Sequence, residues 1–260
     1  MYKRQVVGIY AMMLETKAHL SIYMSSLKQS LKTLINDVIL QRAGLKLYST
    51  RAFGRDITLD IKNLIASPKV MFDVGANVGQ TVELWTREFD APTIHSFEPV
   101  KRLFDELNSK HQNNAVCVHA GVGDENTRMT IHYGKHDVSH SFSKDEYGLG
   151  SEESDVVKLD TYCEQKDVSK IDVLKIDVEG FEHQVLKGAE KLLSNHQIDI
   201  LEIEVGFDPK GYYTFYPDIA EALRKHKYHT LGFYDQTTQW NGGAELLFCN
   251  VLFARDGLTF

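Results

Sequence analysis

Two acid-bearing strings in this 260-residue chain have the spacing to do chemistry. The first is Asp73-Val74-Gly75-Ala76-Asn77-Val78-Gly79, where a short apolar run ends in an acid and a glycine-rich turn. Glycine carries no Cβ, so such a turn lets backbone approach a ligand closely and seats it at the N-terminus of the next helix. A dinucleotide fingerprint reads G-x-G-x-x-G and lays a pyrophosphate on the amides. Here the spacing is G-x-x-x-G behind an acid. Asp73 would repel a pyrophosphate but can receive the ammonium of a cofactor with an amino-acid tail, which favours S-adenosylmethionine over NAD. The expected cofactor loop is Asp73, Gly75, Ala76, Asn77, Gly79 and Gln80.

Two further acids follow at successive strand ends. Glu98 in Phe97-Glu98-Pro99 can accept both hydroxyls of a ribose, with Pro99 beside it, and Asp124 in Gly121-Val122-Gly123-Asp124 can accept from an adenine amino group, with Gly123 beside it. Each alone is commonly no more than a polar strand terminus. Three in order is stronger, because ligands of open α/β sheets bind beyond the carboxyl ends of the strands.

The second string is Lys175-Ile176-Asp177-Val178-Glu179-Gly180. If extended geometry lasts that far, Lys175, Asp177 and Glu179 lean to one side, opposite Ile176 and Val178. Asp177 is the first candidate for the base or orienting group, with Glu179 and Glu204 behind it and Lys175 as electrostatic partner. The plain alternative is that Asp177 or Glu179 caps the following helix. Asp177 and Glu204 could also hold Mg²⁺ or Ca²⁺, but two carboxylates do not complete a coordination shell, so a divalent metal is not favoured and no metal site is assigned. Of the histidines, none has metal-ligand spacing, and His136 and His140, with Ser141, are candidates for substrate contact or proton transfer.

These residues need a scaffold, and hydrophobic patterning supplies it. Strands are expected at Val70 to Val74, Thr93 to Phe97, Ala115 to Ala120, Arg128 to Tyr133, Val156 to Leu159, Asp172 to Ile176 and Ile198 to Val205. Helices are expected at Gln80 to Glu88, Lys101 to Lys110, Phe181 to Leu193 and Pro217 to His226. The alternation implies βαβ units and a parallel sheet. Strands near His229 to Tyr234 and Leu246 to Ala254, joined across Asn241-Gly242-Gly243, read as a terminal antiparallel hairpin. Gly134 to Ser154 reads as a long loop able to cover the site. Before residue 67, helical spacing from Glu15 to Leu47 predicts an N-terminal helical extension, and residues 51–66 a connector. The expected domains are 1–66 and 67–260.

Composition narrows the partners. The formal net charge of −7 disfavours nucleic acid. The 43% of hydrophobic residues suits one packed α/β domain with no transmembrane segment. Cys117, Cys163 and Cys249 lack any pairing or zinc spacing. The N-terminus lacks a convincing cleavage site, so cytoplasmic residence is expected. The amphipathic helices leave peripheral membrane contact open, and nothing fixes an oligomeric state.

The chain resembles the FkbM-type methyltransferases, a branch of the class I S-adenosylmethionine-dependent enzymes. Besides the strings above, the resemblance rests on Gln80-Thr81, Lys158-Leu159-Asp160-Thr161-Tyr162, Phe181-Glu182 and Val185-Leu186-Lys187-Gly188-Ala189, and it spans Val70 to Val205. It implies a Rossmann-like, mostly parallel seven-stranded sheet with a C-terminal antiparallel hairpin. It also implies O-methylation of a hydroxyl on a sugar of a glycan or glycolipid, or on a natural product. N- or carboxyl-methylation and a non-catalytic S-adenosylmethionine-binding module are the alternatives. An NAD-dependent reductase lacks both its fingerprint and a Tyr-x-x-x-Lys site here.

Overall fold

The computed structural model describes residues 24, 26–31, 33–34, 53–134, 140–142, 148–238 and 243–258. The chain divides into two units, 1–52 and 53–260. In the first, the described residues between 24 and 34 are helical, and Met24, Leu27, Leu31 and Leu34 are exposed at helical spacing. The rest of the expected N-terminal helices lies outside the described residues.

The second unit begins with helix α1 (Ile57–Leu64), strand β1 (Val70–Val74), helix α2 (Gln80–Glu88), strand β2 (Thr93–Phe97), helix α3 (Lys101–His111) and strand β3 (Ala115–Val118). Three short strands follow, β4 (Gly121–Val122), β5 (Thr127–His132) and β6 (Ser151–Val157), then α4 (Leu159–Gln165) and β7 (Ile171–Ile176). The chain continues through α5 (Glu182–Gly188), α6 (Glu190–Ser194), β8 (Ile198–Gly206), α7 (Tyr216–Lys225), β9 (Tyr228–Thr238) and β10 (Leu246–Arg255).

The main sheet has seven strands in the order β3-β2-β1-β7-β8-β10-β9. The first five run parallel, and β10 inserts antiparallel between β8 and β9. The order reverses beside β1, with β2 on one side and β7 on the other; such a switch point opens a crevice at the strands' carboxyl ends. Both faces are covered. Phe72, Val74, Leu174, Ile176, Leu201 and Ile203 pack in one cluster, and Met71, Val173, Ile200 and Leu252 in another with Val82 and Trp85 of α2. That two-sided burial is why these strands read as continuous apolar runs.

Four expectations need correction. Residues 51–66 are not merely a connector: Asp56 caps α1 by accepting from the Leu59 amide, and Ile61 is buried in the second cluster. The unit therefore starts at Phe53, and a domain boundary at 66 would cut α1 from the core it completes. The Gly134 to Ser154 loop is shorter than expected, because β6 starts at Ser151 and pairs antiparallel with β5; with β4 they form a separate three-stranded sheet. Leu159 opens a helix rather than ending a strand. The helix expected over Phe181 to Leu193 is broken after Gly188, whose backbone lies so close to Gly123 that an added Cβ would stand 2.0 Å from the Gly123 carbonyl oxygen. The hairpin is as expected, although Asn241 and Gly242 lie outside the described residues.

Candidate active site

A cavity of about 1010 Å³ opens at the carboxyl ends of β1, β2, β7 and β8. At one end it is walled by Val74, Gly75, Ala76, Asn77, Gln80 and Thr81, with Glu98 and Pro99 opposite. The turn that carries these residues needs left-handed backbone at Gly75 (φ 89), Asn77 (φ 49) and Gly79 (φ 97). Gly75 is also packed against the next strand: an added Cβ would stand 1.8 Å from the Asp177 carbonyl oxygen. Two backbone bonds, from Gly75 N and Ala76 N to the Phe97 carbonyl, tie the loop to β2.

Glu98 is buried and does double duty. Its carboxylate accepts from Asn77 N at 2.9 Å and from Val100 N at 2.8 Å, so it braces the loop it faces. Burial nevertheless pushes its pKa up to about 7, with the two amides pulling the other way.

Beneath the loop a polar row crosses the sheet. Strand register places Ser96, Asp73, Lys175 and Glu202 side by side on β2, β1, β7 and β8, and hence on one face. Asp73 is fully buried, within the reach of Lys175, Asp177 and the Thr81 side chain. Burial raises its pKa to about 6, against the opposing field of Lys175. Burial also raises Glu202, to about 7. For Lys175 burial opposes the charge, but Asp177, Asp73 and Glu202 outweigh it and raise the pKa. A buried ammonium among three carboxylates is a fixed charge.

At the other end of the cavity three carboxylates converge. Asp177, Glu179 and Glu204 each offer an oxygen within 4.8 Å of the others, and Asp177 is ion-paired to Lys175 Nζ at 2.7 Å. Sequence alternation placed Glu179 with Asp177 by extending the strand. The structure reaches the same convergence differently: β7 ends at Ile176, and Glu179 (φ 53) and Gly180 (φ 93) turn the chain back. Ser141 Oγ donates to the Glu179 carbonyl at 2.9 Å and holds that turn. Neither acid caps α5. Its N-cap is Phe181, without a side-chain bond, while Glu182 accepts from the Val178 and Gly180 amides and from Thr214. Burial, reinforced by Asp177, pushes Glu179 up to about 8, and burial with Asp177 and Glu179 pushes Glu204 up to about 9.

Of the expected site residues, Gly75, Ala76, Asn77, Gln80, Glu98, Pro99, Lys175, Asp177, Glu179 and Glu204 line this one cavity. Asp73, Gly79, Gly123 and Asp124 do not. Gly79 is glycine for packing, since an added Cβ would stand 2.3 Å from the His111 ring. Gly123 sits beneath Val156 and Phe181 and against Gly188, and Asp124 is half-buried outside the wall. His140 lines the cavity, whereas His136 lies outside the described residues. Sequence reasoning missed Asp208, Tyr212, Tyr213, Phe248 and Phe142. The signal was the aromatic string Tyr212-Tyr213-Thr214-Phe215-Tyr216, brought in where Gly206 N donates to the Thr214 carbonyl at 2.8 Å.

The residues fit an S-adenosyl cofactor on structural grounds. A glycine turn without room for side chains and a buried carboxylate at the end of β2 are what a nucleoside ligand requires. Fold and cavity together define a protein of the open α/β class that binds its ligand at a topological switch point. The FkbM methyltransferase domain matches residues 73–230, more than half of the chain, and the chain belongs to that family. It is 28% identical over 170 residues to hexuronic acid methyltransferase AglP of Haloferax volcanii, a match covering 62% of this chain and 64%, less than two thirds, of that relative. Among solved structures it is similar to the FkbM methyltransferase of Methylobacillus flagellatus, with 18% identity, TM-score 0.46, and coverage of 82% of this chain and 46% of that one. It is also similar to the 1,6-didemethyltoxoflavin-N1-methyltransferase of Burkholderia thailandensis, with 13% identity, TM-score 0.45, and coverage of 93% and 89%.

Proposed function

We propose that the protein transfers a methyl group from S-adenosylmethionine to a hydroxyl of a sugar in a glycan or glycolipid. The observation that carries this reading is that the glycine loop and the Asp177, Glu179 and Glu204 cluster open on one cavity. Family membership supports methyl transfer, and the hexuronic acid methyltransferase among its relatives supports a sugar acceptor.

S-adenosylmethionine supplies a methyl group already activated on a sulfonium centre, so the protein's task is largely positioning. Gly75, Ala76, Asn77, Gln80 and Glu98 would hold the nucleoside. Asp177 accepts the proton of the acceptor hydroxyl at a carboxylate oxygen. Lys175 keeps that carboxylate oriented through the 2.7 Å ion pair. Glu179 and Glu204, with pKa values raised to about 8 and about 9, retain protons near neutrality and can donate to neighbouring acceptor oxygens. Phe142, packed against Phe181, and His140 line the same cavity.

The test is release of S-adenosylhomocysteine from the full chain given S-adenosylmethionine and a panel of alkyl glycosides, alongside calorimetry with S-adenosylmethionine and NAD. Micromolar binding of the first cofactor with sugar-dependent product supports the proposal. Binding of NAD in its place, or product formation indifferent to sugar, contradicts it.

A further inference from the structure

The acceptor end of the cavity has a charge and a shape of its own. Its acids are Asp177, Glu179, Glu204 and Asp208. Among the described residues that line it, Lys175 is the one lysine or arginine, and its ammonium is already committed to Asp177 and flanked by Asp73 and Glu202. Aromatic rings line the same cavity, and the Tyr212 side chain hydrogen-bonds Glu179. Tyr213 lies 4.5 Å from Phe248 between ring centroids, and Tyr212 meets Tyr213 edge-on at 5.3 Å.

Carboxylates take hydroxyl protons as acceptors, and aromatic faces take the C–H faces of a pyranose. A sugar carboxylate asks for something else, a fork of arginine donors or an uncommitted ammonium. Here it would face the Asp177 and Asp208 carboxylates and the Glu179 and Glu204 acids, with no uncommitted lysine or arginine among the described residues of the wall. We infer that the sugar unit held against the Asp177, Glu179 and Glu204 cluster carries no carboxylate, so that the acceptor is a neutral sugar and not a hexuronate. This rests on the sugar-methylating reading above and departs from the substrate named for the Haloferax relative. The site's own field supports it: burial and then Asp177 push Glu179 above the usual carboxylate range, and burial with Asp177 and Glu179 does the same to Glu204. A further anion would add to that field.

The experiment uses matched octyl glycosides of gluco, galacto and manno configuration, each as the neutral hexoside and as the hexuronoside, which differ only at C6. Binding to the full chain with S-adenosylhomocysteine present is measured by calorimetry, and turnover with S-adenosylmethionine is measured separately. At least one neutral glycoside is expected to bind at least tenfold tighter than its hexuronoside. Asp208 is exposed, so Asp208→Lys changes the charge of the wall without touching the core. It should move the affinity ratio at least fivefold toward the hexuronoside. Equal or tighter hexuronoside binding, no binding of any glycoside, or a ratio unmoved by Asp208→Lys would overturn the inference. Turnover separates it from the underlying reading. A methylated hexuronoside would leave methyl transfer standing and remove the charge rule; selective binding of neutral glycosides without any turnover would do the reverse.

Discussion

Gly75→Ala tests whether the cofactor loop is held against β7 as tightly as the geometry requires. Two effects combine at this position. The residue has φ 89, which costs a residue with a Cβ about 1–2 kcal/mol. The new Cβ would also stand 1.8 Å from the Asp177 carbonyl oxygen and 2.8 Å from its carbon, both main-chain atoms that cannot swing aside. Reaching ordinary contact at 3.4 Å requires a retreat of about 1.6 Å at the residue assigned as base. Gly54 isolates the first effect: its φ is 83, yet nothing lies within 4 Å of an added Cβ. Gly54→Ala should therefore cost about 1–2 kcal/mol, or about 2–8 °C in Tm for a unit of this size. Gly75→Ala should cost at least about 4 kcal/mol, or about 8–16 °C. Thermal unfolding followed by circular dichroism gives both values, and calorimetry should show S-adenosylhomocysteine binding weakened at least tenfold in Gly75→Ala alone. Equal Tm losses with intact binding in both variants would refute the packing argument.

Asp177→Asn should lower turnover at least a hundredfold while S-adenosylhomocysteine binding stays within a few fold, since the proton acceptor is lost and the glycine loop is not. Comparable losses in both would make the residue structural. Glu98 has a folded-state pKa of about 7 against an ordinary 4.5, so the folded state holds its proton more tightly and stability from this group falls as pH rises between those values. Denaturant unfolding of the cofactor-free protein should show Glu98→Gln gaining about 3 kcal/mol relative to the wild type between pH 4.5 and pH 7.5; parallel pH profiles would contradict the buried-acid assignment. Lys175→Met should strand Asp73 and Glu202 without their cation and lower Tm more than Lys170→Met, whose ammonium is half exposed between Asp172 and Asp199. Similar Tm losses would show that the buried row contributes nothing special.

Much of the site was legible because its signals are local. Asp73 to Gly79 stands between a buried strand and an amphipathic helix, and strand alternation is enough to place Glu98, Lys175 and Asp177 at strand ends. What escaped was set by tertiary contact. That Glu179 joins the cluster by a left-handed turn held by Ser141 is invisible in a period-two pattern. Gly79 read as a ligand contact because a glycine needed for packing against the distant His111 ring looks the same in sequence. The aromatic wall of Tyr212 and Tyr213 depends on a backbone bond at Gly206 and on β10 entering beside β8, both long-range events. Helix α1 was missed because its eight residues are stabilised by Ile61 reaching a core more than a strand away and by a hydrogen bond from Tyr234 to Asp60, rather than by propensity alone.

The most direct measurement follows the transferred atom itself. The full chain is incubated with S-adenosylmethionine carrying a ¹³C-labelled methyl group and with whichever neutral glycoside binds best, and the product is read by carbon–proton correlation NMR. A methyl ether on a sugar hydroxyl, formed in step with S-adenosylhomocysteine, is the predicted result. Label on nitrogen or in an ester, or a bound cofactor that never yields methylated sugar, would contradict it.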